Sequence, residues 1–296
     1  MTSYSSSIVA RSFQLFQDVA VLQYDELIQK LRENPEQNWN KVFMVNTLLR
    51  LKSLKVEGTI ITDGWPHFSA ILSRQGSEIK TLQNCVLEKK EGLVPVIIQQ
   101  IDVASEKKCH SVLVVDAWLG KCLQTALRSN DMARYPTIEQ MAIVIGFYVP
   151  ESCSFTIEPM TCPEGYVLGS LEECHIEEVS VEWHRMDRDK KISLFTEAIK
   201  QHHSVGIFPT CSGKIDKSPV GWCLQYPSGF FGHLFVHEEH RRKGLAKILV
   251  QRLCCLIKGD GEIPLTFVAK DNVKSLSLFQ SLTFVQSDFP AAILHL

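Results

Sequence analysis

Several things are scarce or missing in the 296-residue sequence, and each absence removes a class of function. No apolar run approaches the ~18 residues a membrane-spanning helix needs; the longest candidate, Met141 to Val149, has the length of a strand. Neither charge is in excess. Lys and Arg number 31 against 33 Asp and Glu, for a formal charge of −2, and only Arg241 to Lys243 cluster, which speaks against a nucleic-acid surface. The ten cysteines contain no Cys-x-x-Cys pair, so no zinc site is expected, and no metal. With no secretory leader recognised, they read as free thiols of a reducing compartment. Acids are missing before Asp18, and the Ser-rich start contains Arg11. A mitochondrial presequence would look so, but with several arginines; a frayed polar start is the simpler reading. No internal repeat is visible in the residues, although two similar α/β halves fit the layout.

What is present is concentrated in one segment. Phe230-Phe231-Gly232-His233-Leu234-Phe235-Val236 is apolar and β-prone, and a short loop leads from it to Arg241-Arg242-Lys243-Gly244-Leu245-Ala246. From Leu245 to about Lys258 the spacing of Leu245, Ile248, Leu249, Leu253, Leu256 and Ile257 predicts an amphipathic helix. A strand, a basic glycine-containing turn and a helix start bring unpaired N–H groups and a positive dipole end to one point, which suits a phosphate.

The neighbouring segments follow a definite order. Strands are predicted at Tyr166 to Leu171, Val205 to Phe208, Val220 to Leu224, Leu265 to Ala269, Thr283 to Val285 and Ala291 to Leu294, and helices at Glu172 to Trp183, Lys190 to His203 and Asn272 to Leu282. Upstream, Val94 to Ile98, Ser111 to Val115 and Ala142 to Gly146 are buried-strand runs, with a helical stretch at Ala117 to Arg128. Pro150, Pro159 and Pro163 make 150–164 the expected linker between residues 1–149 and 165–296.

The order β-α-α-β-β-β-α-β-α-β-β, with the Arg-x-x-Gly-x-Ala turn, resembles the GNAT acyltransferase superfamily. Within it, Pro219-Val220-Gly221-Trp222 and His240-Arg241-Arg242-Lys243-Gly244 are similar to the glycine N-acyltransferase-like branch. So are Lys55-Val56-Glu57-Gly58 and Asp63-Gly64-Trp65-Pro66-His67-Phe68 in the first half. The resemblance runs over most of Leu54 to Leu296. The implied fold is α/β with mixed sheets: an N-terminal α/β domain, then a GNAT domain with a mixed, splayed central sheet.

The implied reaction moves an acyl group from CoA to the amine of glycine or another small amino acid, without a metal, in mitochondria or cytoplasm. By this resemblance the amides from Arg242 to Ala246, around Gly244 and Leu245, hold the pyrophosphate, and Arg241, Arg242 and Lys243 add charge. Main-chain groups of Leu234 and Val236 pair with the pantetheine arm, and the Leu234 amide holds the thioester oxygen. Asn272, opening Asn272-Val273-Lys274-Ser275, meets the arm and also suits the N-cap. Two positions depart from the family pattern. Phe279 stands where many GNAT enzymes have a proton-donating Tyr, and Phe230 where glycine N-acyltransferases have a Glu base. Among substitutes, His233 is expected on the strand face opposite Phe230, and His237 is the candidate base. Glu238 and Glu239 read as ion-pair partners of Arg241 and Arg242. Two other readings stay open: an acyl-CoA-binding protein of this fold with little or no activity, and a protein acetyltransferase.

Overall fold

The computed structural model describes residues 17–33, 38–53, 57–75, 79–86, 94, 97, 110–127, 140–153, 161–183, 188–211 and 214–295. In chain order, β1 is Gln17–Asp18, α1 Tyr24–Glu33, α2 Trp39–Lys52, β2 Gly58–Thr62, β3 Ala70–Gln75 and β4 Ile79–Val86. After these come β5 His110–Asp116, α3 Ala117–Leu127, β6 Gln140–Tyr148, β7 Tyr166–Gly169, α4 Ile176–Val181, α5 Arg188–Gln201 and β8 Ser204–Cys211. The remainder is β9 Lys214–Ile215, β10 Gly221–Gln225, β11 Phe231–Val236, α6 Leu245–Gly259, β12 Leu265–Ala269, α7 Val273–Gln280, β13 Val285–Gln286 and β14 Ala291–His295. Contacts divide the chain into unit 1 (Met1–Gly146, Ala269–Asp271, Ser287–Leu296) and unit 2 (Phe147–Val268, Asn272–Gln286).

Unit 1 is a mixed sheet in the order β1-β2-β3-β4-β5-β14-β6. Only β4 and β5 are parallel there, through Ile79↔His110 to Gln83↔Val114. The last strand, β14, lies between β5 and β6 and pairs antiparallel with both. Residues 287–296 therefore count with unit 1, although the sequence groups them with 165–296. Ala292 and Leu294 of β14 are fully buried in one cluster with Val115, Leu119 and Leu123. A Cβ on Gly120 of α3 would come within 2.5 Å of the Ala292 Cβ, so the glycine is what lets the helix lie this close to the strand. The Asp63 to Phe68 motif closes the connection from β2 to β3: the Asp63 carboxylate accepts from the Ser69 and Ala70 amides at 2.7 and 2.8 Å, and Trp65 stacks on Phe68.

Unit 2 has the order β12-β11-β10-β8-β7, with β9 on β8. Its strands are antiparallel except β11 and β12. Helix α6 is buried along Leu245, Leu249, Val250, Leu253, Cys254 and Ile257. Val250 and Cys254 thus replace Ile248 and Leu256 in the expected stripe, a rotation of the helix within the same period. Residues 150–153 and 161–164 of the expected linker count with unit 2. Among the described residues the two units share an order of elements: a leading strand, two helices, three strands joined antiparallel, a helical stretch (Val94 and Ile97 in unit 1, α6 in unit 2), a fourth strand parallel to the third, a helix and a further strand.

Some expectations need correction. Val94 and Ile97 are helical, not strand; a short apolar run has no period that tells the two apart. The rest of that run lies outside the described residues, as do Met1 to Phe16 and Leu54 to Val56. The predicted helix at Glu172 to Trp183 is a 3-10 turn, Glu173–His175, followed by the short α4. Thr283 and Phe284 precede β13 rather than forming it; Phe284 is buried against Phe231 and Phe279.

Candidate active site

The site begins with an irregularity in β11. Its pairing with β10 runs Phe231↔Gln225 and Gly232↔Leu224, shifts, and resumes at Phe235↔Trp222 and Val236↔Gly221. His233, with φ +50, is the extra residue of this bulge. Bulges raise the local twist and bend the strand. Accordingly β11 meets β12 at a single pair, Phe231↔Thr266, and the two parallel strands part beyond it.

The bulge also decides which backbone groups stay unpaired. The His237 amide donates to the Val220 carbonyl at 2.9 Å, so alternation turns the main-chain groups of Val236 and Leu234 away from β10. That side is the parting edge, and among the described residues Leu234 has no ladder partner on it. The Val236 carbonyl accepts from Arg241 Nε at 2.9 Å. The strand edge is therefore open at Leu234 and already occupied in part at Val236.

Next along the chain comes the basic turn. Gly244 caps α6 at φ +77, a left-handed conformation that glycine adopts without strain, and a Cβ there would meet nothing within 4 Å. The amides of Arg242, Lys243, Gly244, Leu245 and Ala246 have no acceptor among the described residues, as expected of the first turn of a helix. Arg242 sits at φ +65 and is exposed. The three basic side chains differ in what they touch. Arg241 is held by Val236 and lies 3.8 Å from Glu238, an exposed and weak pair. Lys243 Nζ donates to Tyr166 Oη at 2.7 Å, and that oxygen is 2.8 Å from His240 Nδ1. Arg242 has no side-chain partner among the described residues, so the expected pair with Glu239 is not formed. The convergent amides, the open space before Gly244 and one uncommitted guanidinium fit a pyrophosphate.

Asn272 caps α7, its Oδ1 accepting from the Ser275 amide at 3.1 Å. Phe279 is buried at 3% exposure against Phe147, Phe231 and Phe284.

On the sheet face toward α4 and α5 the side chains are aromatic. Phe230 touches Tyr226 and Phe267, with ring centroids at 5.0 and 5.2 Å. Trp183 bridges Tyr226 and His233. His233 therefore shares this face with Phe230, against the expected opposite face, because the bulge interrupts strict alternation. Its Nε2–H donates to the Val179 carbonyl at 2.8 Å, and its ring stacks on Phe195. Burial lowers its pKa to about 4, so it is neutral at pH 7. His237 is held edge-on by Trp222 and Phe235. Tyr226, in the turn Tyr226-Pro227-Ser228-Gly229 between β10 and β11, is the member of this group that the sequence does not single out. The Tyr-Pro-Ser-Gly turn signal hid a buried ring.

Among the described residues no cluster of His, Cys, Asp or Glu could hold a metal, and no helix is long and apolar enough to cross a membrane. Residues 204–289 match the family described as FR47-like protein. No curated protein matches the chain in sequence. A solved Drosophila protein superposes with a TM-score of 0.69 at 14% identity, covering 95% of this chain and 98% of its own. A GCN5-related N-acetyltransferase from Sphaerobacter thermophilus does so with a TM-score of 0.54 at 12% identity, over 95% and 94% of the two chains. With the parted parallel strands and the glycine turn, these likenesses establish the fold of the chain as that of the GCN5-related N-acetyltransferases.

Proposed function

We propose that the protein is an acyl-CoA-dependent N-acyltransferase that acylates the amine of glycine or another small amino acid. The observation that carries this reading is the single-pair contact of β11 with β12, which leaves the Leu234 edge open beside five unpaired amides. On this reading the pyrophosphate lies on the amides from Arg242 to Ala246, with Arg242 as its side-chain cation. The arm runs as an added strand along Val236 and Leu234. The Leu234 N–H holds the thioester oxygen as it gains charge. Asn272 keeps its Nδ2 for the arm while its Oδ1 serves as the cap. Glycine as acceptor, and a mitochondrial setting, come from the sequence resemblance and belong to the same proposal.

A second reading is an acyl-CoA-binding protein with little turnover. Phe230 and Phe279 favour it, since neither can move a proton. Thiol release measured for several acyl-CoAs against free amino acids and a peptide amine tests both. Steady release with glycine supports the enzyme, release only with the peptide favours a protein acetyltransferase, and binding without release leaves the ligand-binding reading.

A further inference from the structure

Of the side chains on the aromatic face, Tyr226 alone carries a hydroxyl. The residue is 7% exposed, no group among the described residues hydrogen-bonds its phenol oxygen, and that oxygen is not one of the enclosed unpaired polar atoms. An unpartnered hydroxyl that is not enclosed is free to meet water or a ligand. Its position is set by a glycine: a Cβ on Gly232 would come within 2.9 Å of Tyr226 Cε2 and 3.5 Å of its oxygen. The ring therefore lies directly over β11, with the hydroxyl above Gly232, two residues before Leu234. Phe230 and Trp183 hold its other sides at 5.0 and 5.9 Å between ring centroids.

The other groups that might move a proton here are spent or elsewhere. His233 donates its Nε2–H to the Val179 carbonyl and stays neutral in its aromatic cage. His237 is packed edge-on to Trp222 and Phe235, beyond the bulge and toward the opposite end of the strand from Gly232. Phe279 faces the core.

We propose that Tyr226 is a catalytic residue of the acyl transfer, relaying the amine's proton to the departing thiolate. The inference rests on the acyl-transfer reading above. In the step, the neutral amine nitrogen bonds to the thioester carbon, and the oxygen's charge falls on the Leu234 amide. As the C–S bond breaks, an N–H proton passes to the tyrosine oxygen and the tyrosine's own proton passes to sulfur. CoA leaves as the thiol, the amide is neutral, and the tyrosine ends as it began. Burial, and Cys223 beside it, push the phenol's pKa above its ordinary value. Such a phenol does not act as a free base, but a relay never requires it to ionise.

The test uses the full chain and Tyr226→Phe, which keeps the ring and removes the oxygen. Melting with and without CoA reports fold and cofactor binding, and thiol release in H₂O and D₂O reports the proton step. The expected result is an unchanged CoA-induced melting shift, turnover lower by about 100-fold or more, and a solvent isotope effect in the native protein that Tyr226→Phe alters. Should that variant not fold, Gly232→Ala, which keeps the hydroxyl but pushes the ring off the strand, is expected to show the same loss. Turnover within about threefold of native, with the isotope effect intact, would overturn the relay and leave acyl transfer standing. A native protein that binds CoA yet releases no thiol with any amine would overturn both together.

Discussion

In unit 1 the parallel strands β4 and β5 are in register at successive pairs from Ile79↔His110 to Gln83↔Val114, whereas in unit 2 β11 and β12 meet at Phe231↔Thr266 alone. The order of elements around the two pairs is the same, so the order does not make the slot. The difference lies one strand earlier. Pairing of β3 with β4 runs without a shift from Ala70↔Val86 to Gln75↔Thr81, while β10 and β11 carry a bulge between Trp222 and Leu224. One extra residue turns a closed parallel ladder into an open edge. A closed edge has no main-chain groups to offer an extended ligand, and an open one does.

The largest effect that would break this comparison concerns the strand that closes unit 1. Leu294 of β14 is fully buried, and Leu294→Ala is expected to cost about 2–5 kcal/mol. Hydrogen exchange should speed in β5 and β14 and leave β10 and β11 protected. Equal loss of protection in β10 and β11 would show that the last strand does not belong to unit 1 as an independent support.

A second effect belongs to unit 2 and follows from His233. The unfolded imidazole takes up its proton near pH 6.5 and the native one near pH 4. Native stability is therefore level above pH 6.5 and falls as pH drops from 6.5 to 4, by about 3 kcal/mol at most. Urea unfolding across this range, with His233→Phe as the comparison, measures the slope. A profile that is the same in both proteins would remove the histidine as its cause.

The third effect tests the basic turn. A Glu at Gly244 must adopt a left-handed conformation, at a cost of about 1–2 kcal/mol, and places a carboxylate before the unpaired amides. Gly244→Glu should lower the melting temperature by a few degrees and weaken CoA by about 100-fold, read as loss of the ligand-induced melting shift. A retained shift would put the phosphate site elsewhere.

The residues made some of this architecture plain and hid the rest for a physical reason. The turn has a glycine, Gly244, where one is needed, helix α6 has a clear period, and both stand where the spacing puts them; β12, a short apolar run after a glycine-rich stop, also stands where it is expected. The bulge is different. Gly232-His233-Leu234 has no composition that separates a bulge from regular strand, so His233 was assigned to the wrong face. Tyr226 was hidden likewise, because its neighbours come from Trp183 and Gly232 and no local pattern joins them. The exchange of β14 into unit 1 depends on partners more than a hundred residues away, beyond the reach of any window of sequence.

The smallest expected effect sharpens what the open edge does. If Phe230 leaves the slot without a base, native turnover with glycine should be slow at neutral pH and rise toward the pKa of the amine. Phe230→Glu should raise turnover at pH 7 by about a decade, short of the ~10²–10⁴ of a fully effective base. Two features of the site set that discount. The new carboxyl would stand among Tyr226 and Phe267, whose rings lie at 5.0 and 5.2 Å from that of Phe230, and poor solvation there raises a carboxyl's pKa. A relay through Tyr226 would also already carry part of the proton's path, so a second acceptor adds less. The double variant Tyr226→Phe with Phe230→Glu separates these causes. If burial alone limits the gain, Phe230→Glu raises turnover by the same factor with or without the hydroxyl. If the relay operates, the factor is larger once the hydroxyl is gone. A native pH–rate profile that is flat and fast, indifferent to both substitutions, would mean that the proton leaves by neither residue.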